Sequence, residues 1–169
     1  MKSVGEAMSI GRSFNESLQK GFNSLEYGLY GLDTPKNIDQ DKKNILNELK
    51  LQSSQRLLFV GEALRQGISP EEIQSVTKYD KWFIDQIQYL VNLERIISEE
   101  GLEKNIILIA KKNGFSDSKI ASILKINEST VRIFREKNKI NPVFRLVDTC
   151  AGEFNSKTPY LYSTYDWEY

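Results

Sequence analysis

From Asp80 to about Glu100, Phe83, Ile87, Leu90, Val91, Leu93 and Ile97 recur at helical spacing, with Trp82, Ile84 and Ile96 beside them. An ordinary surface helix buries one narrow apolar stripe against one neighbour. A stripe this broad needs several covering elements, so the segment predicts a long helix buried against several partners. It commits the chain to a mainly α fold.

The flanking sequence supplies those partners. Ser13-Phe-Asn-Glu16 is a capping box opening a first helix over 13–27, with Leu18, Phe22 and Leu25 on one face and an end near Gly28. Leu29 to Asp39 holds Gly31, Asp33, Thr34 and Pro35 and reads as an exposed loop. A second helix is predicted from Asp41 to Leu51 with Ile45, Leu46 and Leu49, and a third from Ser54 to Gln66 with Leu57, Leu58, Val60 and Leu64, stopping at Gly67. Ser69-Pro70-Glu71-Glu72 is the strongest start signal: an N-cap serine, a proline at the first helical position and an acidic residue at the third. Ile106–Ala110 has strand composition, yet Glu103-Lys104 before it and Lys112-Asn113-Gly114 after it favour a short helix with a glycine stop. After Pro142, Val143, Arg145 and Val147, then Tyr160, Tyr162 and Thr164, alternate as extended segments do. The expected architecture is a helical domain of about seven to eight helices over 13–142, with short extended segments at both ends, 1–12 and 143–169.

Composition removes whole classes of chemistry. The chain has no histidine and one cysteine, Cys150. Zinc sites built on Cys and His, and nucleophiles activated by His, are therefore closed to it. No glycine-rich phosphate loop is present. Cys150, between Thr149 and Ala151, reads as a small buried side chain in a reducing compartment. Asp148 and Glu153 are either an acid/base pair or, more simply, caps of turns and partners of Arg145. No apolar run is long enough to cross a bilayer, and the formal net charge is zero.

One segment, 116–138, carries an alternative reading, a helix-turn-helix regulator that binds nucleic acid. In 116–138, Ser116 caps a helix with Ile120, Ala121 and Leu124 inward, and Asn127 caps a second with Val131 and Phe134 inward. The second helix would offer Ser129, Thr130, Arg132 and Arg135 to a major groove. From Lys111 to Arg145 there are nine Lys/Arg against three Asp/Glu. Two short helices pack by the same rules without DNA, however. The usual turn glycine is replaced by Lys125, and Glu128 and Glu136 would oppose phosphates.

The two ends carry the most specific signal. Gly5 and Gly11 bracket Val4, Met8 and Ile10, as if the backbone threads past other structure. Near the other end stand Arg145-Leu-Val-Asp148-Thr149-Cys150-Ala-Gly-Glu153-Phe154 and Tyr160-Leu-Tyr162-Ser163-Thr164-Tyr165. Both passages resemble the carbamoyl-phosphate synthetase large-chain family, where the central helical domain joins two ATP-grasp halves. Leu146, between Arg145 and Val147, and Gly152 depart slightly from that pattern. Ala63-Leu-Arg65-Gln-Gly67-Ile-Ser69, Asp80-Lys-Trp82-Phe83-Ile-Asp-Gln86-Ile87 and the stretch from Lys112-Asn-Gly114-Phe115 to Pro142 match in the same order, with 28–55 the weakest region.

The resemblance implies a parent enzyme of two ATP-grasp halves. One makes carboxyphosphate from bicarbonate and ATP, carbamate forms with ammonia that a smaller glutamine amidotransferase chain releases, and the other half phosphorylates carbamate. ATP, Mg or Mn, and K would belong to those halves, and no catalytic, cofactor-binding or metal residue carries over to this chain. It implies that 1–12 is the end of the first half, that 143–169 leads into the second, and that Met1 stands at an internal position of a longer enzyme. The implied role is that of a cytoplasmic, inactive connector that self-associates, with neither nucleic acid nor membrane as partner.

Overall fold

The computed structural model describes residues 6–36, 41–155 and 157–167. The expectations for Val4, Gly5 and the 37–39 part of the loop fall outside them. Eight helices occur in the described residues: α1 Phe14–Ser24, α2 Lys42–Lys50, α3 Arg56–Arg65, α4 Pro70–Thr77, α5 Lys81–Glu100, α6 Lys104–Lys112, α7 Asp117–Leu124 and α8 Glu128–Lys137. Two short strands follow, β1 Val143–Leu146 and β2 Leu161–Thr164. The fold is mainly α, as the periodicity predicts.

The central helix is α5, which packs against α1, α3, α4, α6 and α7. Its inward row is Ile84, Ile87, Leu90, Leu93 and Ile97, all buried. Leu58, Val60 and Ala63 of α3, Ile73 of α4, Ile107 and Ala110 of α6 and Ile120 of α7 belong to the same core. The stripe is rotated from its predicted position: Ile84 heads it, whereas Phe83 is outside with Trp82. Aromatic bulk at the amino end of α5 widened the apparent face without entering the core.

Starts are set by side chains. The Ser69 hydroxyl accepts the Glu72 N–H at 3.2 Å, the Ser116 hydroxyl the Lys119 N–H at 3.0 Å, and Glu103 the Ile106 N–H at 2.9 Å. Two predicted starts differ. Asn127 holds the N-cap position of α8 without a side-chain cap bond, and α3 begins at Arg56, after an uncapped Gln55. Most stops come from left-handed residues, α2 ending instead at an extended Leu51. Glu26 takes φ 56°, so α1 is finished by Ser24 rather than at residue 27, and Lys125 takes φ 55° where a turn glycine was missing.

The two extended segments pair with each other. β1 and β2 are antiparallel, with Val143 opposite Thr164 and Leu146 opposite Leu161. Cys150 lies half-buried in the turn between them, not fully buried, and Asp148 accepts its N–H at 2.9 Å. Of the two readings of Asp148, the turn cap is the one observed.

Candidate functional site

Among the described residues no group of three or more His, Cys, Asp or Glu side chains is placed to hold a metal ion. The buried polar groups gather instead at three junctions. The first joins both ends of the chain to α1. The face of α1 most deeply buried is polar, Asn15, Glu16 and Gln19 together with Phe22, whereas Leu18 and Leu25 are only partly covered. Glu16 is 1% exposed. Its N–H donates to Ser13, as the capping box predicts, but its carboxylate reaches one residue further back and accepts the Arg12 N–H at 2.7 Å. The same oxygen accepts the Thr164 hydroxyl of β2 at 3.2 Å, and the other oxygen pairs with Lys20 at 2.8 Å.

Lys20 completes the tie. Its ammonium donates to the Ile10 carbonyl at 3.0 Å on the incoming strap (residues 6–12) and to the Ser163 carbonyl on the outgoing strand. The strap can lie this close because Gly11 has no side chain: a Cβ there would sit 2.9 Å from the Glu16 side chain. Asp166 adds ion pairs with Arg12 at 3.6 Å and Lys112 at 3.3 Å. A buried carboxylate with charged and hydroxyl donors contributes more than a neutral hydrogen bond, about 1.5–3 kcal/mol. Glu16→Gln should therefore lower stability by about 1–3 kcal/mol. It should also make chymotryptic cleavage at Tyr162 and Tyr165 much faster, which limited proteolysis reads directly.

The second junction lies inside the helical domain. Arg65 forks onto Glu94, Nε to Oε2 at 2.7 Å and Nη2 to Oε1 at 2.8 Å. Lys119 pairs with Glu94 at 2.9 Å and with Asp33 at 2.8 Å. Arg65 also meets Glu62 at 3.4 Å, and Glu62 accepts the Thr34 hydroxyl at 3.0 Å. The buried Leu32 N–H donates to Gln19 at 2.6 Å, and its carbonyl accepts from both Arg65 and Lys119. Burial works against a charge on Glu94, yet Arg65 and Lys119 outweigh it and hold the carboxyl below its ordinary pKa. The loop read as exposed is thus anchored by Leu32 and Asp33 to α1, α3 and α7. One signal was available in the sequence: Glu94 interrupts the apolar side of α5 between Leu93 and Ile97.

The third junction answers the DNA-reading question. Ile120, Ala121 and Val131 are buried as the pattern requires. Arg135, placed outward for a groove, is 9% exposed and donates to Asp117 through Nη2 at 3.1 Å and to the Ile140 carbonyl at 2.9 Å. Lys111 joins Asp117 at 2.7 Å, and the Tyr165 ring lies over both cations, 4.9 Å from Lys111 and 5.7 Å from Arg135. Arg132 pairs with Glu128 on its own helix. Burial lowers the Lys111 pKa, with Arg135 adding to the effect and Asp117 opposing it. The cations that made 111–145 look basic are therefore partly spent on internal pairs, and nothing in this geometry supports a nucleic-acid interface.

Comparison with known proteins agrees with this arrangement. Residues 6–139 match the family described as the carbamoyl-phosphate synthetase large chain, oligomerisation domain. The carbamoyl phosphate synthase large chain, N-terminal section, of Aquifex aeolicus is 45% identical over 100% of this chain, which covers 30% of that protein. The large chains of Caldanaerobacter subterraneus and Xanthomonas campestris are 46% and 42% identical over 98% and 99% of this chain, covering 15% and 16% of theirs. The chain therefore spans less than a third of the length of these relatives. By the extent of the family match and the full-length identity to these large chains, it belongs to the oligomerisation-domain family of the carbamoyl-phosphate synthetase large chain.

Proposed function

We infer that this chain is an inactive connector within a longer carbamoyl-phosphate synthetase large chain, linking a carboxyphosphate-forming half to a carbamoyl-phosphate-forming half and supporting self-association. The observation that carries the reading is the joint hold of Glu16 and Lys20 on the strap and on β2. The tie stabilises the fold and also holds residues 10 and 163 side by side, which is what a unit joining two neighbours requires. In this reading 1–12 closes the first half, 13–142 is the helical domain and 143–169 leads into the second half. ATP, Mg or Mn, and K serve the flanking halves, ammonia comes from a glutamine amidotransferase partner chain, and the parent works in the cytoplasm in pyrimidine and arginine synthesis.

The test uses the purified chain. It should hydrolyse no ATP in the presence of Mg, bicarbonate and ammonia, and it should sediment as more than a monomer at high concentration. Turnover that co-purifies with the chain, or a strict monomer at every concentration, would overturn the enzymatic or the associative half of the reading respectively.

A further inference from the structure

Three aromatic rings at the amino ends of α1 and α5 pack on one another outside the core. Phe14 meets Trp82 and Phe83 at 5.3 Å between centroids, and Trp82 meets Phe83 at 5.0 Å, all edge to face. Trp82 is 51% and Phe83 43% exposed. Phe14 also lines an apolar groove of about 340 Å³ that runs along α1 past Leu18 and Leu25 to Leu57 of α3, with Ala7 and Ser9 of the strap on its rim. We propose that this triad and groove are the seat of the domain to which the strap leads, the carboxyphosphate-forming half of the same polypeptide.

The proposal rests on the connector reading and adds its contact face. Three observations select a tethered neighbour as occupant. The strap edges the groove and runs directly into Phe14, so a domain joined upstream of Glu6 emerges within roughly 28 Å of the triad, eight extended residues at most. The outgoing strand borders a second groove, which the strap also lines, with Met8, Lys20, Leu161 and Tyr162 around it. The groove beside the triad is thus bordered by the incoming strap and, among its lining residues, by none of the outgoing strand. Area decides against a second copy: a stable dimer buries roughly 800 Å² per partner, whereas a large aromatic ring offers about 150–250 Å² and these are half covered already. A tethered domain meets the patch at an effective concentration near the millimolar range, where a small patch suffices.

The decisive measurement is hydrogen exchange of segments 14–25 and 82–90 in the isolated chain and in the full-length large chain that contains it. Exchange at both segments should be at least about tenfold slower in the long form. Trp82→Lys should return the long form to the isolated-chain rate, while Trp82→Phe keeps the protection. Both variants of the isolated chain should melt within about 4 °C of the unaltered chain, as surface changes do. Equal exchange in the two forms would overturn the proposal and leave the connector reading intact. Protection in the isolated chain that disappears on dilution would overturn it in favour of a second copy. A large chain whose reading frame holds no ATP-grasp half upstream would remove the connector reading itself.

Discussion

Glu94→Ala is expected to destabilise the chain by about 3–5 kcal/mol, a loss that takes away most of the stability of a domain at the low end of the usual range. Glu94 receives both arms of Arg65 and the ammonium of Lys119 from two other helices. Removing it leaves two cations facing each other in the interior. Lys119 keeps Asp33, but Arg65 is left with the distant Glu62 and the Leu32 carbonyl. Glu94→Gln, which retains acceptor and shape but not charge, should cost less than the alanine, and urea denaturation separates the two. The pH dependence follows from the depressed carboxyl. Because the folded state holds Glu94 and Asp117 below their ordinary values, their contribution is complete above the unfolded-state carboxylate range. It is lost as pH falls through their folded values. Stability should therefore drop on acidification, and Glu94→Gln should flatten that drop.

Gly114→Ala is the second large effect, about 3 kcal/mol, from left-handed strain and overpacking acting together. Gly114 has φ +83°, and a Cβ there would stand 2.8 Å from the Glu16 carbonyl oxygen and 2.9 Å from the Glu16 Cα. Those are backbone atoms of a helix turn fixed by Ser13 and Arg12, so they cannot yield cheaply. Gly67→Ala makes the control. Gly67 has φ +74° with nothing within 4 Å of its absent Cβ. Only the strain remains there, about 1 kcal/mol. Equal losses at the two sites would show that contact with α1 contributes nothing at Gly114.

Local rules made most of the helices legible. Ser69, Asp80 and Ser116 announce their helices because a short polar side chain bonding the next free N–H is a matter of three or four residues. Where the outcome depended on distant neighbours, reading stopped. Phe83 and Ile84 are adjacent and apolar, and only the packing of α1 beside α5 decides which one turns inward. The polar side of α1 gave no sign of its burial, because Glu16, Gln19 and Lys20 gain partners ten or more residues away. Arg135 illustrates the same limit, since its burial requires Asp117, Ile140 and Tyr165 from separate elements. The pairing of 143–146 with 161–164 has no two-residue turn to signal it, and both segments were legible only as extended.

That pairing, with the hold of Lys20 on Ile10 and Ser163, gives the domain an unusual mechanical character. A rod separates whatever is fastened to its two tips by its own length. Here residues 10 and 163 lie within one lysine's reach, so in the proposed connector role whatever is fastened beyond them is held side by side, however large the helical body grows. Such a unit behaves as a buckle. Lengthening the excursion between β1 and β2, or trimming a helix far from α1, would leave the spacing of its neighbours unchanged.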